Sequence, residues 1–154
     1  MVIGANGRIG SAMCKELAAR KRAFIGTTRQ TLDVTAPGVI PPCDVAYLCA
    51  AQLRTDPAIA VPDEWAINVD GTIEVAKRLH DKGAFVVFLS SRAVESRNDE
   101  YTRMKKIVEK SVDVMDGAIV RLATVNERLL PDAVNTLLAV GDDRIKGLTV
   151  WGQD

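Results

Sequence analysis

The placement of apolar residues constrains this chain more than any other feature. Five short apolar runs, Met1–Ile3, Ala23–Gly26, Val45–Cys49, Phe85–Leu89 and Ala118–Leu122, are bounded by turn residues and are mostly β-branched or aromatic, as buried parallel strands are. Between them, apolar residues recur every three or four positions, the period of a helix with one buried face. Ser11–Lys21 carries Met13, Leu17 and Ala18 in this way, and Glu64–Asp81 carries Trp65, Val69, Ile73, Ala76 and His80 with Gly83 beyond it as a cap. Asp99–Met115 follows Asn98 as its N-cap, aligns Tyr101, Met104, Lys105, Val108, Val112 and Met115, and stops at Gly117.

Strands that alternate with helices are joined by right-handed crossovers, which produce a parallel sheet covered on both faces. One crossover breaks the pattern: "TLDVTAPGVIPPCD" holds three prolines and a glycine, which leaves a loop and a thinly covered face. With 154 residues the chain is expected to form one domain that buries roughly 70 % of its unfolded surface. Lys plus Arg balance Asp plus Glu at 20 each, which argues against nucleic acid or an anionic membrane as the main partner. Cys14, Cys43 and Cys49 lack metal-type spacing, and an odd number suits reduced thiols, read here as small buried or half-buried residues. No leader and no apolar run of membrane-spanning length is seen, so the expected location is the cytoplasm.

"GANGRIG" follows the first apolar run and opens the first helical pattern, with Gly4, Gly7 and Gly10 spaced by three. Glycines at a strand-to-helix turn allow a tight bend, close approach of backbone N–H groups to a pyrophosphate, and close packing of helix on strand, while the helix N-terminus favours negative charge. The loop residues Gly4, Asn6, Gly7, Arg8, Ile9 and Gly10 are therefore candidate cofactor contacts; a merely flexible turn is the alternative. The architecture expected from this placement is a Rossmann-type doubly wound parallel sheet, strand order 3-2-1-4-5. The second strand ends "FIGTTR" with no acid to bind ribose hydroxyls. Thr27, Thr28 and Arg29 suit a 2′-phosphate instead, which favours NADP(H) over NAD(H).

"YTRMK" puts Tyr101 and Lys105 one helical turn apart. Upstream, "FVVFL" ends in Ser90-Ser91, at the carboxyl edge where ligands of open α/β sheets bind. A serine there can bond a substrate oxygen, a tyrosine can give or take its proton, and a lysine can hold the nicotinamide ribose and lower the tyrosine pKa. An edge tyrosine and a surface lysine after an ordinary Ser-Ser loop would look the same in sequence. His80, the sole histidine, has no partner cluster for metal or triad chemistry.

Taken in order, "VIGANGRIG", "LDV", "CAA", "NVDGT", "FLSSRAV", "YTRMK" and "AIVRLATV" resemble the extended short-chain dehydrogenases/reductases of the NAD-dependent epimerase/dehydratase type. "TRQTLDVT" is most similar to the dTDP-dehydrorhamnose reductase branch. The resemblance covers residues 2–125. It implies that Asp33 and Val34 flank the adenine, that Cys49, Ala50 and Ala51 line the cofactor ribose and pyrophosphate, that Asn68 buttresses the active site, and that Ser91 rather than Ser90 is the catalytic serine. Against it, "RAVESRNDE" is short for the segment before the tyrosine, and members of the family run to about twice this length. The expectation is therefore a dinucleotide-binding unit at 1–125 and a shortened C-terminal region at 126–154, packed on that unit or on a partner. Pro131–Val140 is the amphipathic part of that region, and Trp151 reads as a packing anchor. The helical patterns at Glu64–Asp81 and Asp99–Met115 correspond to those that pair across homodimers of the family. Three functions follow. The first is an NADP(H)-dependent oxidoreductase acting on a carbonyl or secondary alcohol, with a nucleotide-sugar as candidate substrate. The others are a non-catalytic dinucleotide-binding module and a nucleotide-sugar epimerase or dehydratase.

Overall fold

In the computed structural model, which describes residues 1–52 and 64–153, the sheet is built outward from a very short central strand. β1 (Val2–Ile3) pairs in parallel with β2 (Gly26–Thr27) on one side and with β3 (Val45–Leu48) on the other. β4 (Phe85–Ser91), β5 (Ala118–Leu122) and β6 (Gly147–Trp151) extend the sheet from β3, every pair parallel. Two residues suffice for β1 because both are fully enclosed and the Met1 ammonium donates to the Val45 carbonyl at 2.7 Å.

The doubly wound parallel sheet is as the sequence implies, but its order is 2-1-3-4-5-6 rather than 3-2-1-4-5. Residues 28–44 form no strand outside β2; their prolines and the turn at Asp33, whose carboxylate accepts from Thr35 N and Oγ1, rule out a ladder there. The chain instead crosses β1 and pairs on its far side, which puts the switch in winding between β1 and β3. The loop also covers the sheet better than its composition suggests: Leu32, Val34 and Ile40 are buried in the core.

That core face carries α2 (Thr72–Asp81) and α4 (Glu100–Val114), which contribute Val75, Leu79, Val108 and Val112. The opposite face carries α1 (Arg8–Ala19) and α5 (Leu130–Asp142), with Met13, Leu17, Ala133, Leu137 and Leu138 against Tyr47, Val87 and Val120. Trp151 packs against this second cluster. A short helix, α3 (Ala93–Ser96), occupies the segment before the tyrosine.

Two helix starts differ from expectation in ways that shape the site. α4 is capped by Asp99, not Asn98: Asp99 Oδ1 accepts from Thr102 N at 2.9 Å and Thr102 Oγ1 accepts from Asp99 N at 3.1 Å, a reciprocal box. This fixes Tyr101 in the first turn. The helix expected across 64–81 is interrupted by a π-helical stretch, Ala66–Gly71, which contains Asn68; such bulges re-aim side chains and occur often at functional sites.

Candidate functional site

The site grows from the turn between β1 and α1. Gly4 N and Ala5 N donate to the Thr27 carbonyl at 3.0 and 2.8 Å, and Gly7 N donates to Gly4 O at 3.1 Å. Gly4 has φ +89°, and a Cβ there would lie 2.6 Å from Ala50 N; a Cβ on Gly10 would lie 2.1 Å from Gly4 O. Both glycines are therefore demanded by the protein's own packing. Gly7 is different: φ is −74°, and an added Cβ would meet nothing nearer than Gly4 O at 3.4 Å. It caps α1 with no side-chain hydrogen bond, so the first-turn N–H groups of that helix point outward as donors. A glycine not needed for packing, at an uncapped helix start, is a cradle that a Cβ would fill, and it fits a pyrophosphate.

One side of the turn opens into a cleft of about 220 Å3 lined by Gly4, Asn6, Gly7, Thr28, Arg29 and Asp33, with Val34, Cys49, Ala50 and Ala51; of the expected cofactor contacts, Arg8, Ile9, Gly10 and Lys105 lie outside it, in the neighbouring cleft. Thr27, grouped with Thr28 in the sequence reading, is instead buried, and its carbonyl serves the glycine turn. Arg29 is largely exposed and its Nε lies 3.6 Å from Asp33 Oδ2. Hydrogen bonds from Thr35 hold the Asp33 carboxyl below its ordinary range, with Arg29 adding to the effect. The fold thus brings an acid beside the arginine although "FIGTTR" itself has none.

A second cleft, of about 440 Å3, adjoins the first and shares Gly7, Cys49 and Ala51 with it. Arg8, Ile9 and Gly10 line it from the turn, and Ser91, Tyr101 and Lys105 from the other side. Arg8 reaches Glu127 at 3.0 Å, both well exposed, a pair that contributes little stability. Burial pushes the Cys49 thiol up to about 12, so it is an uncharged wall group.

The two serines have different tasks. Ser90 Oγ donates to the buried Glu109 Oε1 at 2.5 Å, whereas Ser91 Oγ accepts from Ala93 N at 3.1 Å and lines the same cleft as Tyr101. Burial raises the Tyr101 pKa and the Ser91 hydroxyl opposes it. This is the reverse of the lowering expected from Lys105. The lysine Nζ instead donates to the Leu89 carbonyl at 2.9 Å and lies 4.8 Å from the Phe88 ring centre and 5.7 Å from that of Tyr101. Burial brings the Lys105 pKa down to about 8, against the opposing influence of Cys49 and Glu109.

Asn68 does not line either cleft. Its side chain clamps the backbone of Gln52, accepting from Gln52 N at 2.8 Å and donating to Gln52 O at 2.9 Å, and so fixes the strand end that carries Ala50 and Ala51. Among the residues that sequence reasoning missed, Gln52 and Ile67 line the first cleft and Thr124 and Val125 the second. Thr124 and Val125 follow β5 at the carboxyl edge, and that position was the available signal.

A glycine turn at a winding switch, with a Ser, Tyr and Lys set across the same sheet edge, defines a Rossmann-type α/β protein. Residues 1–106 match the family described as the RmlD substrate binding domain, and the chain belongs to that family. The fold is similar to that of a dTDP-4-dehydrorhamnose reductase from Bacillus anthracis str. Ames in complex with NADP, with a TM-score of 0.78 at 19 % identity over 99 % of this chain and 74 % of that one. A reductase of the same description from Clostridium acetobutylicum gives 0.79 at 22 % identity over 99 % and 73 %. A UDP-galactose 4-epimerase gives 0.79 at 18 % identity over 97 % and 74 %. No curated protein sequence matches the chain significantly.

Proposed function

We propose that the protein is an NADP(H)-dependent oxidoreductase of the short-chain dehydrogenase type, acting on a carbonyl or secondary alcohol of a nucleotide-linked sugar. The observation that carries this reading is the convergence of Ser91, Tyr101 and Lys105 on a cleft that shares Gly7, Cys49 and Ala51 with the glycine-turn cleft. Residues 1–125 would form the dinucleotide-binding unit and 126–154 the segment packed on it. Gly7 and the first turn of α1 would hold the pyrophosphate. Thr28 and Arg29 would hold the 2′-phosphate, Asp33 and Val34 the adenosine end, and Lys105 the nicotinamide ribose. The cofactor supplies hydride when bound.

The chain's own contribution is to polarise and protonate. Ser91 donates its hydroxyl to the substrate oxygen, which makes the carbonyl carbon more electrophilic. Tyr101 delivers its phenolic proton to that oxygen as the carbonyl becomes an alcohol, and takes it back in the oxidative direction. A phenol kept protonated by burial suits the reductive direction. Lys105, cationic up to pH of about 8, stabilises the phenolate left behind. The similarity to NADP-bound dTDP-4-dehydrorhamnose reductase supports the cofactor and the substrate class.

Two other readings stay distinct. The engagement of Lys105 Nζ by Leu89 O favours a dinucleotide-binding module without turnover. The similarity to UDP-galactose 4-epimerase favours a reaction that returns its hydride to the substrate. Fluorescence titration with NADPH and NADH, followed by a panel of nucleotide-linked keto sugars, separates them. The oxidoreductase binds NADPH more tightly and consumes it with a keto sugar. A binding module shows saturation without consumption, and an epimerase converts sugar with no net change in cofactor. Absence of binding to either nucleotide overturns all three.

A further inference from the structure

An arginine stands in the middle of an otherwise apolar strand: β5 reads "AIVRL", and Arg121 sits in register with Ser90 of β4. Its guanidinium is forked onto Glu109 of α4, Nε to Oε1 at 3.0 Å and NH2 to Oε2 at 2.8 Å, with side-chain exposures of 21 % and 9 %. Ser90 donates to the same carboxylate. Apolar side chains of similar volume would fill this space without the desolvation cost of two charges, so the pair is poor value as a stabiliser. Its location explains it better. Glu109 lies one helical turn beyond Lys105 on α4, and Ser90 precedes Ser91 on β4.

We infer that Glu109, held by Arg121, is a positioning residue for the Ser91, Tyr101 and Lys105 set. It ties the end of β4 to α4, which fixes the spacing of Ser91 from Tyr101, and it sets a negative charge one turn behind the lysine. The effect on turnover rests on the oxidoreductase reading; the effect on the lysine charge does not. The ionisable groups around Lys105 are Cys49 at the end of β3, Tyr101 and Glu109 on α4, and, behind Glu109, Arg121 on β5, whose guanidinium also lies 3.8 Å from Glu95 of α3. β4 presents the Phe88 ring and the Leu89 carbonyl. With the Cys49 thiol and the Tyr101 phenol uncharged, Glu109 is the anion that offsets the burial of the ammonium, and Arg121 tempers it.

The two partners therefore act on Lys105 with opposite sign, which a purely structural clasp would not do. Lysine-selective heteronuclear NMR gives the test: the Lys105 signal, assigned by its loss in Lys105→Arg, is titrated in the wild-type chain and in Glu109→Gln, Arg121→Gln and Arg121→Lys, with thermal melts to verify folding. Glu109→Gln lowers the Lys105 titration midpoint by about one pH unit, Arg121→Gln raises it, and Arg121→Lys restores the original value. The alkaline limb of kcat moves in the same directions while NADPH affinity changes less than twofold. Midpoints that stay still, or that move the same way in both Gln variants, overturn the proposal. If Glu109→Gln does not fold, the contrast between Arg121→Gln and Arg121→Lys decides alone. Opposite midpoint shifts in a protein that never oxidises NADPH would retain the charge relation and reject the oxidoreductase reading.

Discussion

Gly7 and Gly10 look equivalent in the sequence, yet the structure assigns them opposite sensitivities to one added methyl group. In Gly10→Ala the new Cβ would lie 2.1 Å from Gly4 O and 2.9 Å from Gly4 C, backbone atoms that cannot rotate away, so helix α1 must move off the strand. Overpacking of this kind costs about 1–3 kcal/mol, which for a chain of this length lowers the melting temperature by about 3–10 °C. In Gly7→Ala the nearest atom is 3.4 Å away and the backbone, at φ −74° and ψ 167°, is open to alanine. Alanine is a worse N-cap by roughly 0.5–1 kcal/mol, and it recovers about 0.4–1 kcal/mol through the smaller entropy of the unfolded chain. The melt should hardly change. If the pyrophosphate sits on the first-turn N–H groups, the added methyl beside them should crowd it, so NADPH affinity should fall at least tenfold, about 1.4 kcal/mol. Thermal melts beside NADPH fluorescence titrations of both variants supply the assay. Wild-type affinity in Gly7→Ala would refute the pyrophosphate cradle, and an unchanged melt in Gly10→Ala would refute the packing argument.

Asn68→Ala removes both bonds to the Gln52 backbone, and should cost about 2 kcal/mol in denaturant unfolding and raise KM more than it lowers kcat. Lys105 titrates near 8 in the fold against 10.5 in an open chain, so the unfolded state binds more protons between those values and this group's penalty to stability lessens as pH rises through them. Accordingly, Lys105→Met should raise the melting temperature at neutral pH and flatten its dependence on pH in that window, while activity is lost; a lower melting temperature would contradict the burial argument. Ile107 and Val114 are exposed on one face of α4, seven residues apart. Pairing of α2 and α4 across a homodimer would cover them, light scattering should then report a dimer that Ile107→Glu dissociates, and a wild-type monomer at high concentration would rule the pairing out.

Sequence patterns reached furthest where a single period governs burial. The strand at Ala118–Leu122 has the expected limits, and β4 runs only two residues beyond its apolar run because Ser90 and Ser91 continue the ladder with Arg121 and Leu122. β6 was overlooked because an edge strand that alternates between half-buried and exposed residues has no apolar run to announce it. The strand order could not be read from spacing: the loop at 28–44 looks like any crossover until its pairing, or lack of it, decides on which side of β1 the chain returns. In the site, the glycine spacing and the Tyr101–Lys105 interval pointed to residues that the fold does bring to one pair of clefts. The direction of the Tyr101 shift was not legible, since it depends on burial and on where Lys105 Nζ bonds. Arg121 inside an apolar strand was a signal for a buried acidic partner; Glu109, twelve residues earlier on α4, is forked onto it, and Glu95 lies 3.8 Å away.

Tyr101 delivers the proton on which the proposed reduction depends. NADPH consumption with a dTDP-linked keto sugar, followed in parallel for the wild type and Tyr101→Phe, measures it. The wild type should oxidise NADPH in proportion to sugar reduced, and the variant, which still binds NADPH, should be slower by about 10²–10⁴-fold. Equal rates in the two proteins, or no consumption by the wild type across the nucleotide-sugar panel, would contradict the account.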